Sequence, residues 1–484
     1  MSELRLIHWD GFPVQCVHRT ARIFKSITHS NMNYLKQFLV ATCVCVFGVT
    51  SLTSADQSPN VVFILSDDQA WTDYGFMGHP IIQTPNLDKL AAQSAVFTWG
   101  HVPSALCRPS LATLVTGLYA HQHKISGNDP APRLAREQSP EYARLREQLI
   151  SHIDRIPTVP KALGERGYLS HQSGKWWEGP FQRGGFTHGM TRGFPNPGGR
   201  HGDDGLVIGR QGLQPIFDFV DLAVSQKKPF YVWYAPFLPH SPHTPPERLL
   251  AKYRDKVDSL HVAKYYAMCE WFDETCGELT SFIDARGLAS NSLFVYIADN
   301  GWIQDAQSPA YALRSKQSPY EGGVRQPIMF RWPEVIKPGV RNELASSIDI
   351  VPTILSAAGV AIPKDLPGID LLPVMRDGKP LARDTIYGEG FAHDVADIEH
   401  PEETLLYRWA IEGRWKLILT YDGEVGARYA SSHPMAEKRP QLFNLSNDPH
   451  EEKNVTQQHP EIVSRLADKI AAWWPTPNRK TISN

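Results

Sequence analysis

The chain carries almost no net charge: 49 Lys plus Arg stand against 51 Asp plus Glu, giving −2 over 484 residues. No long run of one sign occurs, and the basic stripe of a nucleic-acid binder is missing, so no nucleic-acid partner is expected. Groups that bind an anionic ligand must therefore be few and local. Internal repeats and low-complexity tracts are missing too, which sets aside solenoid and disordered architectures. Hydrophobic residues at 42% and charged residues at 21% describe a globular protein, and the length allows two or three domains.

Long apolar runs are scarce. One extends from Phe38 to Leu52, after Asn33-Tyr34-Leu35-Lys36 and before Thr53-Ser54-Ala55. A short basic region, a hydrophobic stretch of roughly 15 residues and a small-residue end describe a secretory signal peptide. The run is short for a membrane span and lacks a basic stop-transfer flank, so no stable span is expected. Residues 32–55 are read as a signal peptide cleaved after Ala55, with retention as an N-terminal anchor as the alternative. The mature protein would then be periplasmic or secreted. Residues 1–31 lack this pattern and read as a mis-called extension ahead of Met32.

Cysteine is scarce as well. Of six, Cys16, Cys43 and Cys45 lie in the segment expected to be removed. Cys269 and Cys276 share the stripe Val262, Tyr265, Cys269, Phe272, Cys276, Leu279, Ile283, spaced by threes and fours as on one helix face. Seven helical residues span roughly 10 Å, too far for a disulfide, so both read as packed core thiols. Cys107 is left without an evident structural partner.

What is present alternates. Val61–Ser66, Pro229–Tyr234 and Leu293–Ala298 read as buried strands. Asn86–Ser94, Thr158–Arg166, Gln214–Ser225, the 262–283 stripe and Ser347–Ala358 read as helices. This predicts an α/β domain on a mostly parallel sheet. Beyond about Leu381, Tyr407–Ile411 and Trp415–Tyr421 read as an antiparallel hairpin turning at Gly413, with a closing helix over Glu461–Trp474. The expected division is a catalytic domain over 56–380 and a smaller α+β domain over 381–484. Segment 130–157 is either a helical insertion or a surface loop.

Asp67-Asp68 follows the first strand and Asp299-Asn300-Gly301 follows another. In open α/β sheets, ligand groups gather at the carboxyl ends of strands, so the two acidic pairs can converge. Three carboxylates and an amide oxygen suit Ca²⁺ or Mg²⁺; the plainer reading is that both are turns. In Cys107-Arg108-Pro109-Ser110-Leu111-Ala112-Thr113-Leu114-Val115-Thr116-Gly117, the proline fits a first helical turn and the glycine a helix stop. Cys107 would then sit at a helix N-terminus, either as a low-pKa thiolate or as a small apolar residue before a turn.

The Cys107 segment resembles the signature of the type I sulfatases of the alkaline phosphatase superfamily, where Cys-x-Pro-Ser-Arg is followed by Thr-Gly. The resemblance continues through Asp67-Asp68, Gly174-Lys175-Trp176, Pro239-His240-Ser241-Pro242 and Asp299-Asn300. It extends to Lys316 ahead of Tyr320-Glu321-Gly322-Gly323, and to Leu442-Phe443-Asn444-Leu445 with Asp448-Pro449 and Asn454. It implies an alkaline phosphatase-like fold with a smaller C-terminal domain. It also implies that Cys107 is oxidised to formylglycine by a formylglycine-generating enzyme, and that the hydrated aldehyde attacks sulfur, binds the metal and expels sulfate. Asp67, Asp68, Asp299, Asn300 and residue 107 would hold Ca²⁺ (or Mg²⁺). Lys175 and Lys316 would neutralise sulfate oxygens, with His240 beside the leaving oxygen. The substrate implied is a sulfated carbohydrate or other sulfate ester.

Three positions depart from the pattern. Leu111 stands where the signature has Arg, a residue read by the modifying enzyme that also helps orient the nucleophile; Leu118 replaces a further Arg after Thr-Gly. Trp177 stands where Gly-Lys-Trp-His has its His, and an indole N–H only donates. His171, His188 and His201 lie near in sequence as substitute bases. A phosphodiesterase or phosphonate monoester hydrolase of the same superfamily is one competing reading. A non-catalytic binder of sulfated glycans is another. His121 and His123 read as structural. Trp177 reads as either substrate-facing or packed.

Overall fold

The computed structural model describes residues 58–132, 134–421, 439–479 and 481; the leader expected over 32–55 and the extension over 1–31 lie outside them. The architecture rests on an eight-stranded sheet in the order β5-β4-β6-β1-β7-β8-β2-β9. Its strands are β1 (Asn60–Ser66), β2 (Ala95–Phe97), β4 (Leu169–Gly174), β5 (His188–Gly189), β6 (Phe230–Ala235), β7 (Ser292–Ala298), β8 (Ile328–Arg331) and β9 (Gly339–Arg341). β3 (Gly100–His101) and β10 (Ala345–Ser346) pair separately. β5, β4, β6, β1 and β7 run parallel, whereas β8 is antiparallel to both β7 and β2. The sheet is mixed and mostly parallel, as the alternating apolar runs require.

Buried on both faces, the central strands send successive side chains to opposite layers. From β1, Val61, Phe63 and Leu65 enter one core with the helix Cys107–Thr116 and Ile350, Val351, Ile354 and Leu355. Val62 and Ile64 enter the other, against Ile216, Phe219 and Val220 and the stripe Phe272, Cys276, Leu279, Ile283. That stripe belongs to the helix Leu260–Ala285, and Cys269 and Cys276 are free, buried thiols. Segment 130–157 forms the helix Pro140–Ile150 and a following 3-10 turn. No described helix is long and apolar enough to cross a membrane.

A four-stranded antiparallel sheet follows: β11 (Thr385–Phe391), β12 (Leu405–Glu412), β13 (Trp415–Thr420) and β14 (Gln441–Asn444). The expected hairpin is β12–β13, turning at Gly413 with φ 59°. Tyr407, Trp409 and Ile411 join the core around Cys107, whereas Ala410, Leu417 and Leu419 pack on the helix Pro460–Trp473 through Ile462, Leu466 and Ile470.

Where the two sheets meet, a cluster of charges is buried. Lys416 Nζ, fully enclosed, lies 2.9 Å from Glu321 Oε1 and 2.9 Å from Glu451 Oε1. His101 Nε2 is 3.1 Å from Glu321. Removing one partner of a buried ion pair leaves an uncompensated charge, whereas the intact pair adds little over an apolar replacement. Lys416→Met should therefore destabilise the protein by about 3–5 kcal/mol. A denaturant midpoint unchanged from the wild type would contradict this account of the junction.

Candidate active site

Four neighbouring parallel strands, β4, β6, β1 and β7, end along one edge of the sheet, and the chain segment leaving each carries a candidate residue. Lys175 follows β4, His240 lies just beyond β6, Asp67-Asp68 follows β1 and Asp299-Asn300 follows β7. β1 and β7 pair Ser66 with Ala298, so the two acidic pairs leave the sheet side by side. Asp68 N–H donates to Asp299 Oδ1 at 3.0 Å, and Asn300 Nδ2 donates to Asp68 Oδ1 at 2.7 Å. Asp68 holds φ at 68°, an uncommon conformation for a residue with a Cβ and a cost that clusters at functional sites. Gly174 is required where it stands. Its φ is 83°, and a Cβ there would lie 1.8 Å from the Ala235 carbonyl oxygen, so only glycine lets β4 deliver Lys175 beside β6.

Cys107 arrives from above this edge. It is the first residue of the helix Cys107–Thr116, which ends at Gly117 in the left-handed conformation, with Gly117 N–H donating to Thr113 O. Lys175 Nζ lies 3.4 Å and Lys316 Nζ 3.2 Å from Cys107 Sγ. Lys175 also donates to Asp67 Oδ1 at 2.9 Å, and Lys316 reaches both Asp68 oxygens at 2.7 Å. His240 is partly buried; its Nδ1 lies 2.5 Å from Ser241 O and its Nε2 3.3 Å from Asp68 Oδ2. A carbonyl only accepts, so Nδ1 carries the proton and a neutral His240 presents a lone pair at Nε2.

Of the two readings of Cys107, its burial favours the packed apolar residue over the low-pKa thiolate. Burial pushes the thiol up to about 12, although Lys175 and Lys316 pull the other way. A helix N-terminus contributes roughly 0.3–1 kcal/mol, less than the ~1.4 kcal/mol that one pKa unit represents. Burial wins.

Burial opposes ionisation throughout the site, and the opposite charges decide the outcome. It would lower Lys175 and Lys316, but Asp67 and Asp68 respectively hold the two ammoniums above their ordinary range. It would raise Asp68, yet Lys316, seconded by Lys175, holds that carboxyl well below the usual range. Asp67 and Asp299 are both raised, chiefly by burial and also by neighbouring carboxylates. Three carboxyls thus face two ammoniums. Asp67 Oδ2, Asp299 Oδ2 and Asn300 Oδ1 are buried acceptors without a hydrogen-bond partner. Hard oxygens left bare in a site with excess negative charge fit a divalent cation of the Ca²⁺ or Mg²⁺ type. Donor atoms of Asp67, Asp68, Cys107 and His240 lie within 4.8 Å of one another, which adds His240 to the potential ligands named from sequence.

The departures have definite places. Leu111 is buried in the core, and Trp176 packs edge-on against Phe186 and Trp233. Trp177 turns toward the site, with Lys175 Nζ 5.1 Å from its ring centroid. His171 and His188 both lie against Phe219, and Phe219 belongs to the core opposite the Cys107 helix. His201 stands 5.2 Å, ring to ring, from Trp177. His121 pairs with Glu389 at 2.6 Å, a structural contact. Sequence reasoning missed Phe237, stacked at 4.2 Å on His240 and near Lys175, and Trp302, beside Lys316. Trp302 directly follows Asp299-Asn300-Gly301, which was the available signal; Phe237 had none beyond its place near His240.

Comparison with known proteins agrees with this geometry. The "Sulfatase" family model matches residues 59–360, and "N-sulphoglucosamine sulphohydrolase, C-terminal" matches residues 311–474. The chain is 29% identical to human (Homo sapiens) arylsulfatase A over 84% of its own length and 86% of that protein. It is 27% identical to N-acetylgalactosamine-6-sulfatase of Canis lupus familiaris, covering 82% of this chain and 81% of the relative. Among solved structures, Ps i-CgsB in complex with k-i-k-neocarrahexaose superposes with a TM-score of 0.67 at 23% identity, covering 86% of this chain and 93% of that one. The motif order, the convergence of its residues at one sheet edge and a family match over more than half of the chain lead to one conclusion: the chain belongs to the sulfatase family, enzymes that hydrolyse sulfate esters.

Proposed function

We propose that the protein hydrolyses sulfate esters of carbohydrates, using a formylglycine made from Cys107 and a bound divalent cation. The convergence of Lys175 and Lys316 on Cys107 Sγ carries this reading, because two ammoniums 3.4 and 3.2 Å from one atom are placed to receive an anion formed there. A thiol held near 12 is protonated at neutral pH and a poor nucleophile as it stands, which favours a reactive group made by modification. Once formed, the hydrated aldehyde of formylglycine would supply one oxygen for attack on sulfur and a second for expulsion of sulfate. The formylglycine-generating enzyme is the partner this requires.

Asp67, Asp68, Asp299 and Asn300, with residue 107, would hold the cation, which supplies Lewis-acid charge opposite the sulfate oxygens. The chain's own groups do the rest. Lys175, between the faces of Trp177 and Phe237, offers a fixed positive charge to a non-bridging oxygen. Lys316 is the donor on the leaving-oxygen side. His240 stands beside that side, and its Nε2, an acceptor in the neutral tautomer, is not the proton source. With a dication, the three carboxylates and two ammoniums would sum to a single positive charge. That complements a sulfate monoester, which carries one negative charge, better than a phosphate monoester, which carries two near neutral pH.

The carbohydrate part of the proposal draws on the relatives, one named for N-acetylgalactosamine-6-sulfate and one solved with a neocarrahexaose. Of the rings around the lysines, Trp177 and Trp302 are buried and Phe237 is partly exposed, so Phe237 is the one of the three that offers an apolar surface to a sugar ring. Export to the periplasm or medium, from the pattern over 32–55, and a catalytic domain over 56–380 with a smaller domain over 381–484 complete the proposal.

Paired aryl sulfate and aryl phosphate esters test the reaction class: sulfate should be turned over with the higher kcat/KM, and a preference for phosphate would point to phosphodiesterase or phosphonate chemistry. No release from any sulfate ester, alongside binding of sulfated glycans, would mark a non-catalytic binder. Excess chelator should abolish turnover and readdition of Ca²⁺ or Mg²⁺ restore it; rates indifferent to chelation would remove the cation from the account. Lys175→Ala should lower kcat by about 10²-fold or more, and a fully active variant would show that this ammonium does not stabilise the transition state.

A further inference from the structure

Residue 107 and Lys175 belong to segments far apart in sequence, and one side-chain pair bolts those segments together. Arg108 immediately follows Cys107, and Glu178 lies three residues after Lys175. Both are buried, at 1% and 3% exposure. Arg108 Nε donates to Glu178 Oε1 and Nη2 to Oε2, each at 2.7 Å, a two-pronged pairing that fixes orientation as well as distance. The third arm, Nη1, donates to the Asn128 carbonyl at 2.9 Å.

The helix start is fixed a second time. Leu106 at the N-cap offers no side-chain acceptor, and Asn128 Oδ1 instead receives the Arg108 backbone N–H at 3.3 Å. The Asn128 amide is itself oriented, because its Nδ2 meets His393 Nε2 at 3.1 Å and His393 Nδ1 meets Asp394 at 2.6 Å. Residue 107 is thereby tied to the Lys175 segment on one side and to chain beyond β11 on the other.

A fully buried ion pair adds little stability over well-packed apolar residues, so folding alone does not account for this one. Geometry does. Leu111 and Trp177, which replace an Arg and a His of the motif, lie on the same two segments that Arg108 and Glu178 connect. We propose that Arg108 and Glu178 are positioning residues for sulfate hydrolysis: their pairing sets the separation between the nucleophile at residue 107 and the Lys175 ammonium. The inference rests on the sulfatase reading above.

Two variants test it, with rates expressed per formylglycine counted by peptide mass spectrometry, so that any effect on maturation is separated from catalysis. Glu178→Gln lies outside the signature segment and should lower kcat on a small aryl sulfate by about 10- to 10²-fold with little change in KM, the scale of an ångström-sized misplacement. The double variant Arg108→Met with Glu178→Leu removes both buried charges, so its denaturation midpoint should match or exceed the wild type. Its kcat should stay low. Recovery of wild-type kcat together with stability would show that the pair only packs and would overturn the proposal, as would wild-type kcat in Glu178→Gln. A wild-type protein without turnover would instead remove the sulfatase reading, and this inference with it.

Discussion

The shared polarity of β4, β6, β1 and β7 is the constraint on which the site depends. Because the four run parallel and adjacent, their carboxyl ends open onto one edge, and residues separated by more than two hundred positions meet there without any long excursion of chain. Had β7 been antiparallel to β1, Asp299-Asn300 would have left the sheet at the opposite edge from Asp67-Asp68. The helix Cys107–Thr116 lies over the same edge, packed on Phe63, Leu65 and the helix at Ile350. Hydrophobic burial therefore sets the frame within which the charges act.

Those charges are expensive to enclose, and the protein meets the cost by pairing them. Lys175 and Lys316 stay protonated although buried because Asp67 and Asp68 stand beside them. The carboxyls nonetheless outnumber the ammoniums, and three acceptor oxygens are bare. That imbalance is local to the site. It is invisible in a chain whose total charge is only −2. A similar economy operates at the junction of the two sheets, where Lys416 serves Glu321 and Glu451 together.

The strands that frame the site were legible because β1, β6 and β7 are continuous apolar runs ending in polar or turn residues. The Cys107 helix was legible from its proline and terminal glycine. β4 was not. Leu-Ser-His-Gln-Ser-Gly does not look like a buried strand, yet Gln172 bonds the Gly174 carbonyl, Ser173 bonds the Trp233 carbonyl and Ser170 takes the Thr187 N–H. Its serine and glutamine groups are satisfied by neighbours that no local pattern displays. Motif resemblance located Lys175 nonetheless. The Arg108–Glu178 pair was likewise hidden, since it depends on two segments meeting in space. The helix terminus left two readings of the thiol open, and its burial, visible only in the fold, favours the packed one.

Everything proposed about the reaction turns on what residue 107 becomes, given that Leu111 replaces an Arg of the segment the modifying enzyme reads. Peptide mass spectrometry across residue 107, on protein purified from its native host, addresses this most directly. The account predicts formylglycine at that position. An unmodified cysteine thiol in a preparation that releases sulfate would contradict it.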